Sequence, residues 1–262
     1  MILYGKPVAE KIYKEIKLNI ATKSPKPILA VVLVGENASS LAYVKLKEKR
    51  AKDLGIGFEL YHFPNIVNQE ALEKLIDDLN CNKYVTGILV QLPLPKKIDE
   101  KKILSKIKQK KDVDGLTGKK PTVTALAIME ILKYYHIDLA NKNIVIVGHG
   151  KLVGAPLEKL LKEKKYKVTV CDKSTSDIKD KILTADIIIT ATGVPGLITA
   201  DMVKKSAVII DAGMAEIDGK IQGDVDAKVY EKVSAYTPSP GGVGPVTVAC
   251  LMKNLTKSNN LN

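Results

Sequence analysis

Two α/β domains, each built on a mostly parallel sheet, are predicted for this 262-residue chain from three features. First, short aliphatic runs recur: ILAVVLVG (28–35), GILVQLPLP (87–95), NIVIVG (143–148), ADIIITATG (185–193) and SAVIIDAG (206–213). Runs of this length and continuity mark strands buried on both faces, as in parallel sheets. Second, segments with apolar residues at helical spacing lie between them. Third, the alternation pauses after the acidic turn KDVDG (111–115) and then resumes, so the chain reads as two such units in series.

Taken in order, Val8, Ile12, Ile16 and Ile20 place a helix over residues 6–22, ahead of the first strand at 28–35. A helix over 40–54 stops at Gly55; FELYHF (58–63) is a strand, 68–80 a helix, and 87–95 a strand ending in a Pro-rich turn. In the second unit a helix at about 122–135 precedes the strand 143–148, a Gly-rich turn and another helix. KVTVCD (167–172) and the runs at 185–193 and 206–213 follow as strands, and a last helix covers about 245–257. There are no internal repeats, and the KSNNLN tail is expected to fray.

Composition narrows the function classes. With no Trp and two Phe, the core must be aliphatic. MILYGKPVAEKIYKEI carries charges every few residues and is not expected to be a signal peptide, and no run reaches the length of a membrane span. Cys81, Cys171 and Cys250 are scattered, form no CxxC pair, and read as buried thiols of a reducing compartment, so neither a disulfide frame nor a metal site is expected. The chain is expected to be cytoplasmic. Its net charge of +12 invites a nucleic-acid reading, yet Arg50 is the only arginine and the lysines alternate with acids, as in KKIDEKKILSKIKQKK. Forked base contacts and stacking aromatics are missing from that pattern, so a solvated Lys-rich surface is expected and no nucleic-acid partner.

VIVGHGKLVGAP sets Gly148, Gly150 and Gly154 between a buried strand and a helix. Small residues there let the backbone approach a pyrophosphate, and the helix end offers free N–H groups, the logic of a Rossmann dinucleotide site. A plain tight turn is the alternative. Asp172 ends the next strand, 24 positions after Gly148, where an acid binds ribose hydroxyls and favours NAD. His149, Lys151 and Lys173 pull toward the 2′-phosphate of NADP, so the residues themselves leave that choice open.

In the first unit Tyr43 and Lys47 are four apart and share a helix face, able to hold a flat ligand beside an amine. Gln91 lies at the carboxyl end of a buried strand, where open α/β sheets bind ligands, and Asp114 lies in a turn. Each has a plain structural reading as well: surface packing, a strand-end amide, a turn-forming acid. TPSPGGVGPVT (237–247) packs three prolines and three glycines into eleven positions, which fits either a connecting loop or close backbone approach to a flat ligand.

VGENASSLAYVKLKEKRAKDLGI, GILVQLPLP, KDVDG, VGHGKLVGAP and TPSPGGVGPVT occur in this order, and over residues 1–258 the chain resembles the bifunctional methylenetetrahydrofolate dehydrogenase/cyclohydrolase family. The resemblance implies oxidation of 5,10-methylenetetrahydrofolate with NADP or NAD, then hydrolysis of the methenyl cation to 10-formyltetrahydrofolate; a monofunctional dehydrogenase is the alternative. It implies that Tyr43 stacks on the folate, Lys47 is the catalytic amine, Gln91 hydrogen-bonds it and Asp114 anchors the pterin. Pro93, Pro240, Gly241 and Gly242 would line the folate pocket. The cofactor would meet Gly148, His149, Gly150, Val153, Asp172, Lys173, Thr192, Gly193, Met214 and Thr247. The implied layout is a folate-binding catalytic domain (1–120 with 245–262) facing a Rossmann domain (121–244) across a cleft, in a homodimer. Two departures stand out: the family's PCTP turn is TVTA (122–125), keeping Thr124, and its GRS turn is Gly148-His149-Gly150, without the Arg that meets a 2′-phosphate.

Overall fold

The strands of each unit's main sheet run parallel, because helices and longer connections carry the chain back across the sheet. The computed structural model describes residues 1–21 and 24–258; the last four residues of the KSNNLN tail lie outside that range, as does position 22 at the end of the first predicted helix. Contacts divide the chain into two units, Lys11–Lys120 with the segment from Leu251, and Met1–Glu10 with Pro121–Cys250.

The first of these follows the order α1 (Gly5–Ala21), β1 (Ile28–Val34), α2 (Ala38–Asp53), β2 (Gly57–Phe63), α3 (Gln69–Cys81), β3 (Gly87–Val90) and α4 (Glu100–Lys106). Its sheet has the order β2-β1-β3, so β1 is paired on both sides and all but its first residue are buried. Three helices start on side-chain caps: Asn37 accepts from Ser40 N, Asn68 from Ala71 N and Asp99 from Lys102 N. Ala30, Val32 and Val34 pack with Leu72, Ile76 and Leu79 of α3, an aliphatic core of the kind the composition requires. Beyond β3 the ladder gains one more bond, Gln91 N to Val32 O at 2.8 Å. The predicted strand 87–95 therefore ends early, because Pro93 and Pro95 have no N–H to continue it.

The second unit contains α5 (Val123–Tyr134), β4 (Ile144–Val147), α6 (Gly154–Glu163), β5 (Val168–Cys171), α7 (Ile178–Thr184), β6 (Ile187–Thr190), β7 (Val208–Asp211), β8 (Ala215–Ile217), β9 (Lys220–Gln222), α8 (Ala227–Tyr230), β10 (Ala235–Tyr236) and α9 (Val243–Ser258). Its main sheet is ordered β10-β7-β6-β4-β5. The chain goes from β4 out to β5 and returns to the other side of β4, which opens a switch point at the carboxyl ends of β4 and β6. Helices α1 and α9 supply residues to both units.

Several expectations need correction. α9 begins at Val243, inside the Pro-Gly run, because Pro245 sits in its first turn, where no N–H is required. Cys81 is exposed at the end of α3, although Cys171 and Cys250 are buried. Lys111 is buried and donates to Leu79 O and Asn82 O, both at 2.6 Å, closing the end of α3. The β8–β9 hairpin, with positive φ at Asp218 and Gly219, is a two-residue Asp-Gly turn between strands too short and too polar to leave an aliphatic run.

Ile76 is fully buried in the α3 face and Leu18 is 77% exposed on α1. In urea unfolding, Ile76→Ala is expected to cost about 2–5 kcal/mol, and Leu18→Ala to stay within about 0.5 kcal/mol of the parent.

Candidate active site

The helix α2 and the end of β3 bring an amine and an amide together. Lys47 Nζ donates to Gln91 Oε1 at 2.6 Å. Gln91 Nε2 in turn donates to Leu92 O at 2.8 Å, which fixes the amide with its oxygen toward the lysine. The Lys47 nitrogen lies 6.0 Å from the centre of the Tyr43 ring, one helical turn earlier. Burial pulls the Lys47 pKa below its ordinary value, and the charge of Asp114 opposes that pull. Burial raises the Tyr43 phenol as well. Tyr43, Lys47, Gln91, Pro93 and Asp114 all belong to the same unit, and the Leu92–Pro93 bond is cis.

Asp114 is shaped by a neighbour that sequence reasoning missed. Asp112 accepts from Gly115 N (2.8 Å), Leu116 N (3.3 Å), Thr117 N (3.0 Å) and Thr117 Oγ1 (2.7 Å). One carboxylate thus folds the whole DVDG turn around itself, and Ile88 N to Lys111 O at 2.9 Å ties that turn to β3. The Asp-x-x-Gly spacing was the available signal. Burial lifts the Asp114 carboxyl to about 6; Lys47 pulls it down and Asp112 pushes it further up.

In the other unit, the glycines after β4 make a cradle. Gly148 has φ +98°, and a Cβ there would lie 2.6 Å from Ala191 O, at the end of β6. A Cβ on Gly154 would lie 1.9 Å from Gly148 O, whereas Gly150 faces open space. Val153 precedes α6 with no side-chain cap; Ala155 N donates to Gly150 O at 3.1 Å and Pro156 has no N–H, so Gly154 supplies the N–H that this helix end can offer another acceptor. Close backbone packing, an open glycine and an uncapped helix end at a switch point fit the pyrophosphate of a dinucleotide. Thr122, from the altered TVTA turn, caps α5 and donates to Leu152 O at 2.8 Å, bracing this loop.

The remaining residues on this side are placed as follows. His149 Nε2 is 2.7 Å from Glu158 Oε2. Asp172 is exposed and accepts from Ser174 N (2.9 Å) and Ser174 Oγ (2.6 Å); these bonds hold its pKa below the usual carboxylate value. Lys151, Lys173 and Gly193 are exposed, and Met214 is 52% exposed. Thr192 N donates to Asp224 Oδ2 at 2.6 Å, and Thr247 Oγ1 donates to Gly244 O within α9. Pro240 follows a cis bond; Gly241 has φ +105° and accepts from Gly5 N at 2.9 Å, and Gly242 is packed under Pro238 O.

Fold and site define a class: an α/β protein with a dinucleotide-type cradle on one unit and a partly buried amine held by an amide on the other. Residues 3–114 match the family model of the tetrahydrofolate dehydrogenase/cyclohydrolase catalytic domain, and residues 122–262 match that of its NAD(P)-binding domain. The chain belongs to the tetrahydrofolate dehydrogenase/cyclohydrolase family. It is 45% identical to the Bifunctional protein FolD of Aquifex aeolicus over 98% of this chain and 94% of that one. Among solved structures, the bifunctional FolD of Campylobacter jejuni superposes with a TM-score of 0.94 at 40% identity, covering 100% of this chain and 99% of the other. The Trypanosoma brucei FolD, solved with NADP and an inhibitor, gives 0.93 at 34% identity, covering 100% and 99%.

Carbon-13 NMR of the carboxyls is expected to place the Asp114 titration near 6. Lys47→Met, which removes the neighbouring positive charge, is expected to move it higher still; an unchanged midpoint would mean the two groups do not feel each other.

Proposed function

We propose that this chain oxidises 5,10-methylenetetrahydrofolate to the 5,10-methenyl cation with NADP and hydrolyses that cation to 10-formyltetrahydrofolate. The observation that carries this reading is the partly buried Lys47 amine, held by Gln91 at 2.6 Å in a chain of this family. The nicotinamide, when bound, supplies the hydride acceptor.

What the chain's own groups do follows from charge. The methenyl product is a cation, so a charged lysine beside it is disfavoured and burial already favours the neutral amine. Neutral Lys47 takes a proton from the water that adds to the methenyl carbon. The remaining hydroxyl proton goes to N5 as the C–N5 bond breaks and the formyl C=O forms, so one proton is released per cation hydrolysed. Gln91 orients the amine without adding charge, which an acid in its place would do. Asp114 accepts from the donor-rich pterin edge, and Tyr43 stacks on the folate ring.

On the other unit Gly148, Gly150, Val153 and the start of α6 would hold the pyrophosphate, with Thr192, Gly193, Met214 and Thr247 further along the cofactor. Lys151 and Lys173, exposed beside the cradle, are the cations proposed to meet the 2′-phosphate. Asp172 is turned into its own Ser174 turn, which leaves it a weaker competitor for the ribose. The folate-binding part comprises residues 1–120 and 245–262, and the dinucleotide part 121–244. The reading extends to a cytoplasmic homodimer paired through β5, an end strand of its sheet. Light scattering at twice the chain's 28.5 kDa supports the dimer, and the single mass counts against it. Among the described residues, no helix is long and apolar enough to cross a membrane.

Lys47→Met is expected to lower the rate of methenyl decay by about 10²–10⁴-fold, the usual worth of a positioned base; full activity in that variant would remove Lys47 from the mechanism. Initial dehydrogenase rates are expected to be higher with NADP than with NAD, and Lys151→Met/Lys173→Met to narrow the gap. A wild-type preference for NAD would assign the ribose to Asp172 instead.

A further inference from the structure

Two acids are buried behind the turn that carries Thr192 and Gly193. Asp211 ends β7 and is 3% exposed; Asp224 follows β9 and is fully buried. Asp224 Oδ2 accepts from Thr190 Oγ1 and from Thr192 N, both at 2.6 Å. Its other oxygen, Oδ1, is buried with no hydrogen-bond partner. Asp211 Oδ1 accepts from Gly213 N (3.0 Å) and Asp224 N (3.2 Å), and Oδ2 accepts from Val225 N (3.2 Å). Asp211 N donates to Thr237 Oγ1 at 2.8 Å, at the head of the Pro-Gly run.

The two carboxylates therefore tie together three segments, the turn after β6, the turn after β7 and residues 223–225, and the Asp211 backbone N–H adds the start of TPSPGG. Backbone sits hard against them. A Cβ on Gly213 would be 2.0 Å from Asp224 Oδ1, and one on Gly223 would be 2.0 Å from Asp211 Oδ2. Burying a second acid beside the first is costly: burial pushes the Asp211 carboxyl up to about 6, and the charge of Asp224 adds to the push. An unpartnered buried oxygen raises that cost. Both acceptor bonds of Asp224 go to the segment that runs into Thr192 and Gly193.

We infer that Asp224 is a positioning residue for dinucleotide binding, fixing the Thr190–Gly193 turn while Asp211 holds Asp224 in place. The inference rests on the cofactor reading above. It separates Asp224→Asn from Asp224→Ala. An asparagine can turn its oxygen to Thr190 and Thr192 and place its NH₂ where the unpartnered oxygen now lies. Alanine leaves both donors without an acceptor.

NADPH fluorescence titration, with NADH in parallel, tests this alongside methenyl hydrolysis, which needs no dinucleotide. Asp224→Ala is expected to weaken NADPH binding by at least about 10-fold while methenyl hydrolysis stays within about 2-fold of wild type, and Asp224→Asn to bind within about 3-fold. Thr190→Val, a near-isosteric change that removes one of the two bonds, is expected to weaken binding about 5-fold; it decides the matter if Asp224→Ala does not fold. Unchanged binding in Thr190→Val and in folded Asp224→Ala would overturn the inference, as would equal losses of binding and hydrolysis in Asp224→Ala. Wild-type protein that binds neither NADPH nor NADH would overturn the cofactor reading, and this inference with it.

Discussion

A single hydrogen bond, from Lys47 Nζ to Gln91 Oε1, is the contact on which the proposed chemistry of the folate unit depends. It joins a helix to the end of a strand and gives a partly buried amine a partner that carries no charge. Had the partner been a carboxylate, the lysine would be held as an ammonium, unable to serve as the proposed base. An amide satisfies one amine proton and leaves the charge state to the surroundings. Burial then favours the neutral form, and Asp114 acts as a counterweight. The coupling runs both ways, since Lys47 restrains a carboxyl that burial raises to about 6.

The irregular turns of both units are shaped by buried carboxylates. Asp112 uses its oxygens on three backbone N–H groups and one hydroxyl, so that the DVDG turn has a defined shape. Asp211 and Asp224 do the same on the dinucleotide-type unit, tying together turns at the ends of β6 and β7. In each case an acid substitutes for a sheet or helix ladder, satisfying backbone donors where the chain is irregular. The glycines play the complementary part, since Gly148 and Gly154 remove side chains where two stretches of backbone must touch.

Much of the fold was legible because buried parallel strands leave a continuous aliphatic trace, as at 28–35 and 143–148. Short elements left none: α7, α8 and β10 span seven, four and two residues, too few for a period to register. Tyr43 and Lys47 could be paired by helical spacing, but the meeting of Lys47 with Gln91, 44 positions on, is set by the β1–β3 pairing and came only through the family resemblance. The buried acids were missed for a related reason. Thr190 and Asp224 lie 34 positions apart, and nothing local marks them as partners. Composition also misled where one residue departs from its class, as with buried Lys111 and exposed Cys81.

The most direct measurement is an NMR titration of the Lys47 side chain in the free protein, assigned by difference against Lys47→Met. A midpoint below the ordinary lysine value of 10.5 is expected, with the amine able to take a proton from water. A midpoint at or above 10.5 would mean that Asp114 outweighs burial and keeps Lys47 charged, and a neutral-amine mechanism could not stand.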